Sequence, residues 1–98
     1  MKKFAHIIWG AGYDTERDHC TFQNKNQITS IFTVNSFDEA LNKIQTLLAE
    51  GYGAFELCGA FGEENAAKLR EAIQGQAPIG YVYYQPEDQK KATAFFRG

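Results

Sequence analysis

Three side chains of this sequence could together activate a nucleophile: the carboxylate of Glu56, the thiol of Cys58 and the imidazole of His6. Glu56 sits inside "AFELC", residues 54 to 58, where an acid among apolar neighbours costs free energy to bury unless it is paired or hydrogen-bonded. If the stretch is a strand, alternation puts Glu56 and Cys58 on one face and Phe55 and Leu57 on the other. The same arithmetic in "KFAHIIW", residues 3 to 9, groups Phe4, His6 and Ile8. Were the two strands neighbours with matching faces, acid, base and thiol would converge, with Cys58 as nucleophile or Glu56 as general base. The plainer reading makes Glu56 a partner for a backbone or Tyr hydroxyl group, His6 a core histidine and Cys58 a small buried hydrophobe.

Directly after Cys58 comes "GAFGEEN". Gly59, Ala60 and Gly62 let a backbone come close to a ligand, and the first N–H groups of a following helix could hold an anion. The run is neither a dinucleotide fingerprint nor a P-loop, and Glu63 and Glu64 place negative charge where a phosphate would sit. A second constellation, Asp14, Glu16, Arg17, Asp18 and His19, lies in the polar segment "GAGYDTERDHCTFQNKNQ", residues 10 to 27. Here Arg17 could clamp an anionic group and His19 exchange protons on a loop that closes over the strand ends. A solvated loop is the alternative. His6, His19, Cys20 and Cys58 match no zinc spacing, so neither a metal nor a cofactor is expected, and the cysteines read as reduced thiols.

The elements that must position these groups follow from periodicity. "SFDEALNKIQTLLAEG" opens with Ser36 and Glu39 as a capping box, carries Phe37, Ala40, Leu41, Ile44, Leu47 and Leu48 on one stripe, and stops at Gly51. A shorter helix runs from Glu63 toward Gly75 with Ala66, Leu69 and Ile73 inward, and Pro86 can open a third with Ala92, Phe95 and Phe96 as a docking patch. Strands are expected at 3–9, 28–34, 54–58 and 79–84. A helical turn from Asp14 to Asp18 would shorten the polar segment.

The resulting order, strand-loop-strand-helix-strand-helix-strand-helix, makes residues 1–98 a single α/β domain. Its small sheet has about four strands, mostly parallel, with two to three helices; the direction of the first strand is open. Ligands of such sheets bind beyond the carboxyl ends of the strands. These ends are Asn35-Ser36, Cys58 to Glu63 and Tyr84-Gln85, joined by Trp9 to Tyr13 if the first strand is parallel.

With 98 residues, 44% apolar and 22% charged, the chain has the composition of one soluble globular domain. A net charge of -2 without a basic cluster argues against nucleic acid, and no apolar run is long enough for a membrane span. The start "MKKFAHIIW" has no leader pattern, so a cytoplasmic protein is expected. Eight Phe, five Tyr and one Trp exceed what so small a sheet can cover, which points to a homo-oligomer, first of all a dimer.

"FAHIIWGAGYD", "VNSFDEA", "ELCGAFG" and "PIGYVYY" together resemble an uncharacterised bacterial family, the domain of unknown function 6506, over nearly the whole chain. The resemblance implies a stand-alone one-domain protein and a shared feature at Glu56, Cys58, Gly59, Phe61 and Gly62. It supplies no activity, and His6 and His19 lie outside its pattern. The expected function is binding of a small polar metabolite around residues 56–62. A small enzyme using Cys58 or Glu56, and a homo-oligomeric interaction module, are the alternatives.

Overall fold

A computed structural model describes residues 1–97. Five strands and three helices follow one another as β1 (Lys2–Trp9), β2 (His19–Gln23), β3 (Gln27–Val34), α1 (Phe37–Ala49), β4 (Ala54–Leu57), α2 (Gly62–Ala72), β5 (Ile79–Tyr81) and α3 (Pro86–Arg97). They form one mixed sheet in the order β2-β3-β1-β4-β5. The fold is α/β. β3, β1, β4 and β5 run parallel to one another and β2 is antiparallel to β3.

All three expected helices form, although the Phe95–Phe96 patch expected to dock α3 stays exposed, and α1 shows the expected ends. Glu39 N–H donates to Ser36 Oγ at 3.1 Å, while the Glu39 carboxylate accepts from the Asn35 N–H at 2.8 Å, one residue earlier than a standard capping box. Gly51, at φ +95°, turns the chain out of α1 so that Tyr52 N–H reaches Leu47 O at 2.9 Å.

The polar segment contains a fifth strand beyond the four expected. β2 is exposed along its whole length, so no apolar face announces it. It is held by its ladder to β3 and by the turn between them, where Asn24 Oδ1 accepts from the N–H groups of Asn26 and Gln27 at 2.7 and 2.9 Å. The remaining loop does contain the helical turn at Asp14, with Asp18 N–H on Asp14 O at 2.7 Å.

The strand order dictates where the core lies. From β3 over β1 to β4, and on to β5, the chain moves in one direction across the sheet, so right-handed crossovers put α1 and α2 on the same face. The step from β1 to β3 goes the other way and would carry a helix to the opposite face, but it is made by β2 within the sheet. The buried cluster accordingly joins Ala5, Ile7, Val34, Phe55, Leu57 and Ile79 to Ala40, Ile44, Leu47, Ala66, Leu69 and Ile73. The other sheet face receives no helix. α3 buries none of its residues.

Candidate functional site: the His6–Glu56 pair on the open sheet face

β1 and β4 are adjacent and parallel, and His6 and Glu56 are direct partners in their register. Both project on the open face, because Ala5, Ile7, Phe55 and Leu57 take the core side. Register extends the line: Cys20 on β2 opposes Ile31 on β3, Ile31 opposes His6, and Glu56 opposes Gly80 on β5. Acid and base therefore stand side by side in the middle of a sheet, at a strand spacing of about 4.8 Å. Gly80 leaves the space beyond Glu56 free of any side chain.

His6 is half-buried between flanking strands, whereas Glu56 is exposed. Among the described residues the ion pairs are Arg17–Asp18 and Glu64–Lys68, so neither His6 nor Glu56 has a charged partner among them. A depression of about 490 Å³ lies along this face toward the start of β1 and is lined in part by Lys2, Phe4, Ala54 and Glu56. A second, of about 580 Å³, lies at the C-terminal ends of α1 and α2 beside Tyr52 and Ile73. Neither touches the strand ends around residues 58 to 62.

Cys58 does not join the pair at hydrogen-bonding distance. Its Sγ accepts the Trp9 N–H at 3.2 Å and its thiol points to Trp9 O at 4.0 Å, which ties the end of β4 to the end of β1. The rest of "GAFG" serves the same junction. Phe61 is buried and packs its ring on Trp9 at a centroid distance of 5.1 Å and 59°. Its N–H closes a turn onto Cys58 O at 3.1 Å, and Gly62, at φ +72°, supplies a backbone conformation that a side chain would strain. Gly59 sits where an added Cβ would come 3.4 Å from Val82 O, a close approach of the chain after β5.

The structure also separates the loop residues from Glu56. Arg17 forms a two-pronged ion pair with Asp18, Nε to Oδ1 at 2.9 Å and Nη2 to Oδ2 at 2.8 Å. The pairing raises the Arg17 pKa above its ordinary value. It lowers Asp18 to about 2, chiefly through the Arg17 hydrogen bond and then through the Asp14 backbone N–H. His19 faces the helix-bearing side, stacked on Phe32 at 6.0 Å with a ring nitrogen 3.1 Å from Glu16 O. It thus lies across the sheet from His6. Asn35, at the end of β3, is likewise engaged, its amide donating to Tyr13 O at 3.2 Å.

The family model for a family of unknown function, DUF6506, matches residues 2–97. The chain belongs to the DUF6506 family. No curated protein and no solved structure matches it. In this DUF6506 member the stretch that carried the resemblance divides by role: Cys58, Phe61 and Gly62 build the junction of β4 with β1 and α2, and Glu56 supplies its one exposed charged side chain. Sequence reasoning did not single out Cys20, Phe22, Ile31 or Gly80 as members of that face. The Asn24–Asn26 turn was the available signal, since recognising it as a hairpin pairs 19–23 with 28–32.

Among the described residues no group of His, Cys, Asp and Glu could hold a metal ion. No described helix is long and apolar enough to cross a membrane.

Proposed function

We propose that the protein binds a small amine-bearing polar molecule on the open sheet face, with Glu56 as the anionic anchor and His6 as its hydrogen-bonding neighbour. The observation behind this reading is the pairing of His6 with Glu56 in mid-sheet, with no charged partner among the described residues, beside a depression that Glu56 lines. A carboxylate held on a rigid strand, flanked by an apolar floor of Phe4 and Ala54, favours a cation or strong donor through charge-assisted hydrogen bonding. Lys2 lines the same depression and would meet a carbonyl or anionic group at the ligand's other end. This retains the expected polar metabolite and moves it from the strand ends, where Cys58 and Asn35 are engaged, to the face.

A thermal-shift and calorimetric screen of primary amines and amino-acid-like compounds tests it. At least one should raise the melting temperature, and Glu56→Gln should abolish the shift while leaving the circular dichroism unchanged. A panel without a hit, or a hit that Glu56→Gln leaves intact, removes the reading.

Catalysis is the second reading, favoured only by the juxtaposition of an acid and a base: Glu56 could take a proton from a bound ligand with His6 returning it. Turnover that falls with Glu56→Gln and His6→Gln alike would separate it from simple binding.

A further inference from the structure

The two edges of the sheet differ in how they meet solvent. β5 is blunted, since it has three residues and follows directly on Pro78, two devices that keep an edge from recruiting another strand. β2 has neither. Its five residues, His19 to Gln23, include no proline, lysine, arginine or carboxylate, and they pair with β3 in unbroken register without a bulge. Which of its backbone groups are free follows from the ladder. Val34 O accepts from the Gly10 N–H at 3.0 Å and Asn26 O from the Lys2 N–H at 3.3 Å, so even-numbered residues of this segment bond toward β1 and odd-numbered ones toward β2. Gln27 O accordingly accepts from the Asn24 N–H at 3.1 Å. Residues 20, 22 and 24 therefore bond to β3, and the N–H and C=O groups of His19, Thr21 and Gln23 point away from the sheet. As β2 is the outermost strand, these six groups have no ladder partner among the described residues.

We propose that β2 pairs with β2 of a second copy, antiparallel about a two-fold axis at Thr21, joining two five-stranded sheets into one of ten strands. The free groups fix that axis. With Thr21 opposite Thr21 of the second copy, His19 meets Gln23 and Gln23 meets His19, so all six groups of each copy find partners in three hydrogen-bonded pairs. An axis at Cys20 or Phe22 engages the groups of only two residues per copy.

Side chains and charge agree with that register. Phe22, 59% exposed, stands opposite Cys20 of the second copy, and the two Phe22 rings lie diagonally across the axis, within reach of each other. An exposed aromatic is thus covered by its own counterpart. Antiparallel pairing also carries the 24–26 turn of each copy, whose one charge is Lys25, beside the 14–18 loop of the other. There Asp14, Glu16 and Asp18 outweigh Arg17, so unlike charges meet twice by symmetry. Two five-residue strands face each other over about 17 Å, which buries less than the ~800 Å² per partner of a stable interface and makes the dimer a reversible one. Glu56, three strands in from β2 and about 14 Å away, stays open.

Sedimentation equilibrium from micromolar to millimolar concentration should show a reversible monomer–dimer equilibrium, and a monomer throughout overturns the proposal. Gln23→Pro removes an N–H that points away from β3 and no bond of the β2–β3 ladder, so it should keep the circular dichroism spectrum and abolish the dimer. A dimer of undiminished affinity overturns the pairing. Lys25→Glu should raise the dissociation constant several-fold, and an unchanged constant overturns the orientation. Phe22→Cys places a thiol opposite the native Cys20 of the second copy in a non-hydrogen-bonded pair, with Cα atoms about 4.5 Å apart and within disulfide reach. Mild oxidation should link the chains in pairs, and adding Cys20→Ser should abolish the link. A bond within one chain only, no link at all, or a link that survives Cys20→Ser overturns the register. These readouts need no ligand, so the strand pairing and the amine site stand or fall separately.

Discussion

His6 and Glu56 are cross-strand partners on the one sheet face that no helix of the chain covers. Within the chain, the pair is bound by no salt bridge to any described residue. A charge in that position contributes little to folding, since neighbouring strand positions favour branched and aromatic residues. Glu56→Val should therefore leave stability unchanged or raise it by about 0.5 to 1 kcal/mol in urea titration, while amine binding is lost. A loss of more than that would mean Glu56 stabilises the fold.

Phe61 is the anchor of the junction between β4 and α2, buried against Trp9. Phe61→Ala should destabilise the protein by about 3 to 5 kcal/mol through lost burial and a cavity. Trp9 is the chain's one tryptophan, so its fluorescence should shift in the native baseline as well.

The two thiols should differ in reactivity. Cys20 is exposed on the edge strand, whereas Cys58 is half-buried with its Sγ engaged by the Trp9 N–H. Iodoacetamide followed by mass spectrometry should label Cys20 first, and Cys58 only at a rate set by opening of the β1–β4 junction. Rapid labelling of Cys58 in the native state would restore it as a nucleophile.

The loop before β2 should loosen in acid. Asp18 is lowered from 3.8 to about 2 by Arg17 and the Asp14 N–H, so the folded loop holds its carboxylate ionised. Its contribution is fully present above the ordinary carboxylate value and is lost as pH falls through about 2. Amide signals of Asp14 and Arg17 followed by NMR should move in that window, and Asp18→Asn should remove the transition without unfolding the sheet.

Much of the fold was legible because local signals and burial agreed. Ser36, Glu39 and Gly51 fix the ends of α1 by hydrogen bonds and backbone conformation made within a few residues. The alternation of β4, with Phe55 and Leu57 buried and Glu56 exposed, is readable from the strand alone. β2 was not legible: its stability comes from pairing with β3, and an edge strand wet on both sides needs no apolar alternation. For the candidate site, the shared face of His6 and Glu56 was conditional on their strands being neighbours, the alternation that put Cys58 with Glu56 ends with β4 at Leu57, and Arg17 and His19 could not be assigned to any face.

The sequence by itself determined the elements other than β2, their order and the core-facing stripes of α1 and α2, because capping, periodicity and turn chemistry act over short separations. Only the tertiary structure decided that β4 lies beside β1, that β2 takes the place of a second helical layer, and that His19 and His6 stand on opposite sides of the sheet. The reason is that strand order and register are set by pairing between residues far apart in the chain. One strand's pattern leaves its neighbour unspecified, yet that neighbour determines which side chains meet.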